Sequence, residues 1–399
     1  MSGQEAEGLK TRFKIEKERI NWIDQGRGLV MFLLILTAFL PDDWRRGNWF
    51  SDFFLEHPGK TDPWMNLYDV GVPAFFFIIG LLMAVSFKKR IEKKNIGNAI
   101  LNSLLRWGLI FAVGLILFLA IDGDLGEMKN VTADFPTLSE VNMYVARWDV
   151  IYSIGFVGLL AIPFLFLPNK ARLILSYIMM GFYQVMIFIP QTYWLEYAWA
   201  SVHGGILGGI FILTPLVLIG SCIGEYYVLN EKTEKNIKNR NFLIFGAINL
   251  AIGLILWFFK RGFPNKRAST MGWAVISIAV IIGGLFAFIV TDYKEADYPN
   301  LHPLNKGRIT LFKAYGMNPF LLYLLTEVVT VLLIEEILDI DLPLEMELVL
   351  LAVMLPALTL IAWLLYRKNK AISTTKIALL AIMILGALAV LILADVISL

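Results

Sequence analysis

The sequence predicts an all-α protein, a polytopic membrane bundle of about eleven transmembrane helices around a central pore. The chain of 399 residues is 58% hydrophobic and 17% charged, against about 45–50% and about 25% in soluble domains. Its mean hydropathy is +0.67. The apolar residues stand in continuous blocks of about twenty, long enough to cross the bilayer as helices, and not in the alternating segments of about ten typical of membrane strands.

Taken in order, the blocks predict spans at about 27–41, 66–87, 99–121, 149–167, 171–190, 205–228, 241–259, 270–291, 312–334, 345–366 and 374–397. The first span is short, and its helix can begin near Trp22. The fourth and fifth spans are joined only by the hairpin "LPNKAR". Residues 1–22 are polar and lack the apolar core of a cleavable signal. We therefore predict a cytoplasmic N-terminal segment, 1–22, followed by one transmembrane domain, 23–399.

Loop charges predict the orientation. With a cytoplasmic N-terminus, the inside segments include "KKRIEKKN" and "NEKTEKNIKNR", whereas the outside segments "IDGDLGEMKNVTADFPTLSE" and "EEILDIDLPLEME" are acidic. This agrees with the positive-inside rule, with one outside exception, "KRGFPNKR". The C-terminus, His57 and His203 then face outward, and the expected location is the plasma membrane.

Several functions are not indicated. The net charge of +2 lacks the strong positive excess typical of nucleic-acid-binding proteins. The single cysteine, Cys222, allows no internal disulfide. No His, Cys and carboxylate spacing matches a metal site, and no G-x-S-x-G or phosphate-binding loop is present. We expect no metal and no nucleic-acid partner, while membrane lipids are expected partners and a homodimer is possible.

Ionisable residues inside the spans are costly and are therefore functional candidates. Asp24 and Arg27 share one helix face, either as a structural ion pair or as ligands. Asp69 stands in the first turn of its helix, where it complements the helix dipole or serves a site. Glu327 stands mid-span and needs a partner or a water-filled cavity. For Arg106 and Arg147, at span edges, snorkelling to the interface is a sufficient explanation.

The remaining polar candidates have open interpretations. Asn318, between Gly316 and Pro319, is typical of a helix start, which can receive a phosphate but often binds nothing. His203 lies among glycines and is either packed or cavity-lining. His302 is interpreted as a solvated loop residue. On spacing alone, His57 in "FLEHPGK" is also a solvated loop histidine.

Several segments resemble, in order, those of the heparan-α-glucosaminide N-acetyltransferase family of transmembrane acyltransferases. "RINWIDQGRGL" is similar to the family start R-x-x-S-x-D-x-x-R-G, with Trp22 in place of the serine. "HPGKTDPWMNLYDVGVPAFFFIIG" matches its histidine, tryptophan-asparagine, aspartate and proline sequence, and "PNKRASTMGW" its P-x-N-K loop. "YGMNPFLLYLLTE" resembles G-M-N-x-x-x-x-Y-x-x-x-E. The resemblance covers about residues 19–368.

This resemblance implies transfer of an acetyl group from cytoplasmic acetyl-CoA to an amine or hydroxyl, such as that of an amino sugar or glycan, on the outer side. It implies that His57 is catalytic, as the general base or as an acetyl carrier, with Asn66 and Asp69 beside it. The expected contacts to the phosphates of the acyl-CoA are Lys88, Lys89, Arg240, Lys306, Arg308, Lys313 and Asn318.

Some positions depart from the family. Its asparagine after the first span has no clear match, and Tyr152-Ser153 replace its glutamine-arginine. These departures leave the acceptor open. The alternative function is a secondary transporter or flippase in which Asp24, Asp69 and Glu327 form an ion relay.

Overall fold

The computed structural model describes residues 20–40, 65–117, 150–189, 204–258, 264–266, 268–297, 310–328 and 344–393. These residues form helices and no strand, so the predicted all-α class is confirmed. The helices are α1 Asn21–Ala38, α2 Gly71–Lys93, α3 Ile96–Leu115, α4 Val150–Ala161, α5 Asn169–Phe188, α6 Gly205–Leu229, α7 Lys235–Phe258, α8 Met271–Asp297, α9 Thr310–Met317, α10 Pro319–Glu327, α11 Leu344–Arg367 and α12 Thr374–Leu393.

The helices are those of a multi-pass integral membrane protein. In the described part of the chain, six helices are long and apolar enough to span a bilayer: α2, α3, α6, α7, α8 and α11. Helix α5, of 20 residues, presents an exposed apolar stripe of Ile174, Ile178, Phe182 and Val185. A stripe with this spacing covers one helix face, and such a face is stable in contact with lipid.

Two helices, α2 and α6, form the buried centre of the bundle. They pack backbone against backbone, because a Cβ added at Gly80 would overlap the carbonyl of Val217, and one at Gly220 the carbonyl of Phe77. Small residues allow this close approach in membranes, where the hydrophobic effect does not drive helices together. Gly28 of α1 packs in the same way against α9.

A buried ionic network joins α2, α5 and α6. The fully buried Arg172 donates to Ser221 Oγ at 2.7 Å and to Glu225 Oε1 at 2.5 Å, and Lys88 donates to the other oxygen of Glu225. Buried charges of this kind are stable only when they are paired. The network therefore positions α5 on the central pair.

Two boundaries differ from the sequence prediction. The first helix begins at Asn21, close to the alternative start near Trp22, and not at 27. The predicted span 312–334 is broken at Asn318 into α9 and α10. Pro319 explains the break, since its ring disfavours helical backbone at the preceding residue, and Asn318 has φ −134° and ψ 54°.

Candidate active site

A polar corner, consisting of Asn66, Asp69, Lys266 and Trp273, lies at the start of α2. The backbone N–H of Asp69 donates to Asn66 Oδ1 at 2.9 Å, and that of Asn66 donates to Asp69 Oδ2 at 3.1 Å. This reciprocal pair is a capping box, which provides partners for N–H groups that a helix start leaves without them. Asp69 is fully buried and Asn66 is nearly so.

The other half of the polar corner comes from the turn before α8. The ammonium of Lys266 lies 3.8 Å from Asp69 Oδ1, and the indole N–H of Trp273 donates to the carbonyl of Asp69 at 2.9 Å. A buried carboxylate needs a cation close by, because the low dielectric penalises an isolated charge. Residues about two hundred positions apart along the chain are thus joined around one carboxylate.

The turn that carries Lys266 is held by its own hydrogen bonds. Asn265 Oδ1 accepts from the N–H of Ala268 at 2.9 Å, and Thr270 Oγ1 accepts from the N–H of Asn265 at 3.0 Å. The hydroxyl of Tyr183 in α5 donates to the carbonyl of Ala268 at 3.0 Å. Such a support keeps the polar corner in one geometry, as a site for a reaction requires.

A first cavity, of about 100 Å³, lies between α1, α2, α3, α4, α10 and α12, with the end of α9 also lining it. Arg27 and Arg106 line it, together with Asn318 and Pro319 at the start of α10, and no acidic residue of the described chain does. Arg27 donates to Asp24 Oδ1 at 2.8 Å and to the carbonyl of Gly316. Two guanidinium groups and a helix start together favour an anion such as a phosphate.

Arg106 is the second cation of the first cavity. Its Nε is buried and has no hydrogen-bond partner among the described residues, and its guanidinium carbon lies 4.8 Å from the ring centre of Trp107. Buried polar atoms normally have partners. An anion in the cavity would supply one.

A second cavity, of about 240 Å³, lies between α1, α2 and α8. Its walls are aliphatic and aromatic, and Lys266 is the single polar side chain among its described lining residues. Leu67, Val70 and Gly71 place one end of this cavity beside the polar corner.

The two cavities occupy adjacent faces of α2. Phe75, Ile79 and Leu82 face the first cavity, whereas Gly71 and Ala74 face the second. Ile78 lines both cavities. One helix therefore borders a cationic cavity, an apolar cavity and the polar corner at its own start.

A comparison with protein families matches residues 20–367 to the model described as an acyltransferase domain. The chain belongs to this acyltransferase family. A search of the curated proteins finds no match. The family match together with the apolar helices makes the protein a membrane acyltransferase, and the matched range coincides closely with that of the resemblance described above.

The structure of this acyltransferase brings together part of the predicted site. Asn66 and Asp69 meet in the polar corner, and Asp24 pairs with Arg27 at the first cavity. Asn318 lines that cavity, but its side chain binds the segment before α12: its amide donates to the carbonyl of Lys370 at 3.0 Å, and its oxygen accepts from the N–H of Ile372 at 2.7 Å.

The other candidates of the acyltransferase do not converge. Lys88 forms an ion pair with Glu225. Both Lys89 and Arg240 are exposed, whereas Lys313 is buried within α9. Glu327 is partly buried at the end of α10 and has a partner. The structure does not describe His57, His203, Lys306 or Arg308, so their predicted roles stay predictions.

Sequence reasoning missed Arg106 as a lining residue of the candidate site, and it missed the partner of Lys266. Arg106 was explained as a snorkelling residue, yet it lines the first cavity from the middle of α3. Lys266 was assigned to the outer basic loop "KRGFPNKR", and the structure adds that its ammonium lies 3.8 Å from Asp69 Oδ1. A cation well inside an apolar helix was the available signal for Arg106, whereas nothing in the local sequence indicates the partner of Lys266.

Proposed function

We propose that the protein transfers an acyl group, with acetyl as the simplest case, from cytoplasmic acyl-CoA to an amine or hydroxyl at the opposite face of the membrane. The observation that carries this proposal is the arrangement around α2: a cationic cavity and an apolar cavity share Ile78, and the polar corner stands at the start of the helix. A transferase needs two substrate sites that meet at one group of polar side chains.

The first cavity supports the donor side. With a cytoplasmic N-terminus, α1 enters from the cytoplasm, so Arg27 and Arg106 lie on the cytoplasmic side of the polar corner. The volume of about 100 Å³ suits one phosphate-sized group and not a whole nucleotide. We therefore assign the anionic portion of the donor to this cavity, while the thioester extends along the Phe75 face of α2.

The polar corner supports the acceptor side. Asp69, held by Asn66 and Lys266, orients the acceptor or the catalytic base. We assign the base to His57, nine residues before Asn66, on the basis of the resemblance to heparan-α-glucosaminide N-acetyltransferases; an amino sugar or glycan is the acceptor class that this resemblance implies. A histidine has a pKa near 6.5 when unperturbed, suited to taking a proton at neutral pH.

The reaction is an acyl transfer. The acceptor nitrogen or oxygen attacks the thioester carbonyl while His57 takes its proton. The carbon–sulfur bond then breaks, and the coenzyme A sulfur leaves and is protonated. Acid–base catalysis of this kind contributes about 10²–10⁴-fold in rate.

The test uses purified protein in nanodiscs with radiolabelled acetyl-CoA and a panel of amino sugars. We expect acetyl transfer by the wild type and a loss of about 10²–10⁴-fold for His57→Ala. Arg106→Gln should weaken acetyl-CoA binding about 10–100-fold, because a hydrogen bond to a charged group is worth about 1.5–3 kcal/mol.

Arg240→Gln is the matched control, since Arg240 was a predicted phosphate contact but is exposed on α7. Its acetyl-CoA affinity should equal that of the wild type. Transfer at the wild-type rate by His57→Ala would remove the histidine from the mechanism. If Arg240→Gln weakened acetyl-CoA binding and Arg106→Gln did not, the donor would bind outside the first cavity.

A further inference from the structure

The second cavity has a surface that suits only part of an acyl donor. Pantetheine carries amide groups, whereas the described walls of this cavity offer hydrocarbon from Leu29, Val30, Leu285 and Phe288. Amides buried there without partners would carry a desolvation cost. The cavity therefore matches an alkyl chain better than the arm of the cofactor.

The same cavity reaches the lipid-facing surface of the bundle. At its rim, Leu33 of α1 and Val280 of α8 are each 40% exposed, and Gly284 of α8 is also exposed. Within the described residues, the gap between α1 and α8 is thus open to the side, at the depth of membrane-spanning helices. This opening is where we expect a lipid-soluble molecule to enter.

We propose that the second cavity binds the apolar chain of the acceptor, and that the acceptor is a membrane amphiphile: an alkyl chain that carries an amine or hydroxyl on its polar head. With the chain beside Ile78 and Gly284, the head lies at Lys266, where the cavity ends and where the lysine ammonium is 3.8 Å from the buried Asp69. The acylation of the head rests on the proposed function, whereas the binding of the chain rests on the cavity alone.

The size of the cavity fits this occupant. A dry apolar cavity of about 150 Å³ holds benzene, and this one measures about 240 Å³. It has room for several methylene groups in single file. The Lys266 ammonium, with the Asp69 carboxylate behind it, gives a polar head a charged partner at one end of an otherwise apolar cavity, so the site is amphiphilic in the same sense as its ligand.

Two adjacent glycines of α8 supply a matched pair of variants. Gly284 lines the cavity and Gly283 does not, and a Cβ built on either residue meets no atom within 4 Å. Gly284→Leu therefore projects a side chain from the cavity wall, with its Cβ in open space, whereas Gly283→Leu adds the same side chain at a position that does not line the cavity.

The binding test uses a decyl glucosaminide that carries a diazirine on its chain, photolysed with the protein in nanodiscs and mapped by mass spectrometry. We expect labels on α1 and α8 around residues 29–34 and 280–288, which unlabelled decyl glucosaminide competes away. Gly284→Leu should lower this labelling on the order of tenfold, because close-packed volume cannot be shared, while Gly283→Leu leaves it unchanged. Equal labelling of the two variants, or labels spread over all exposed helices, would overturn the proposal.

The activity test compares methyl and decyl glucosaminide as acetyl acceptors. A chain raises the membrane concentration of any acceptor, so the informative quantity is the change in preference between variants. We expect the preference for the decyl acceptor to disappear in Gly284→Leu and to persist in Gly283→Leu. Photolabelling requires no turnover, so specific labelling without acetyl transfer would contradict the proposed function alone. Acetyl transfer with an unchanged preference for the decyl acceptor in Gly284→Leu would contradict this inference alone.

Discussion

At the residue scale, Asp69 has two roles that substitutions can separate. One carboxylate oxygen accepts from the N–H of Asn66 and so caps the short turn Tyr68–Val70 that leads into α2, and the other lies near Lys266. An amide at this position can still accept the capping hydrogen bond, but it carries no charge. A purely structural residue and a site residue therefore respond differently to the same change.

We expect Asp69→Asn to keep the capping hydrogen bond, to lose less thermal stability than Asp69→Ala, and to lose on the order of 10²-fold in turnover, the low end of acid–base contributions. Asp69→Ala should lose turnover as well and, with the cap removed, about 0.5–2 kcal/mol of stability. Thermal unfolding and acetyl transfer on the same preparations measure both quantities. Wild-type turnover in Asp69→Asn would limit the residue to helix capping.

At the element scale, glycines determine how closely the central helices approach. Gly80 and Gly220 bring α2 and α6 into backbone contact, and Gly28 does the same for α1 and α9. These contacts place α2 at the centre of the bundle, where α1, α6 and α8 pack around it. Both cavities lie against α2, so their shapes depend on this close packing.

Gly220→Ala should destabilise the protein by about 1–3 kcal/mol, the usual cost of overpacking, because its Cβ would overlap the carbonyl of Phe77. Gly283→Ala is the control, since its Cβ meets no atom within 4 Å. Denaturant unfolding in detergent compares the two. Equal stability of both variants would show that α2 and α6 can separate without cost.

At the scale of the whole molecule, the proposed function requires the start of α2 to face the outside and its end to face the cytoplasm. Loop charges predict that Lys94, after α2, is cytoplasmic, which places Leu67 and the polar corner outside. The side chains of Lys94 and Leu67 are both exposed. The chain has one cysteine, the buried Cys222, so a cysteine-free background needs one substitution.

In a Cys222→Ser background, we expect Leu67→Cys to react with a membrane-impermeant maleimide in intact cells. Lys94→Cys should react only after permeabilisation. The positive-inside rule is the physical basis of this prediction. The reverse labelling pattern would put the polar corner on the cytoplasmic side and remove the need for a donor that reaches through the bundle.

The sequence by itself determined the class of the protein and most of its helices, because continuous apolar blocks can satisfy their backbone in lipid only as helices. It also singled out Asp69 as a charge in the first turn of its helix, Asn66 through the resemblance to the acetyltransferase family, and the pair of Asp24 and Arg27. Such features depend on neighbours along the chain, so a sequence can reveal them.

Only the tertiary structure decided which distant groups meet. It paired Asp69 with Lys266, placed Arg106 in a cavity, left Arg240 exposed and opened an apolar cavity between α1, α2 and α8. These outcomes follow from the packing of helices far apart in sequence, where side chains of the same type can face lipid, protein or a cavity. Helical periodicity predicts that a face exists, and only packing against other helices decides what that face contacts.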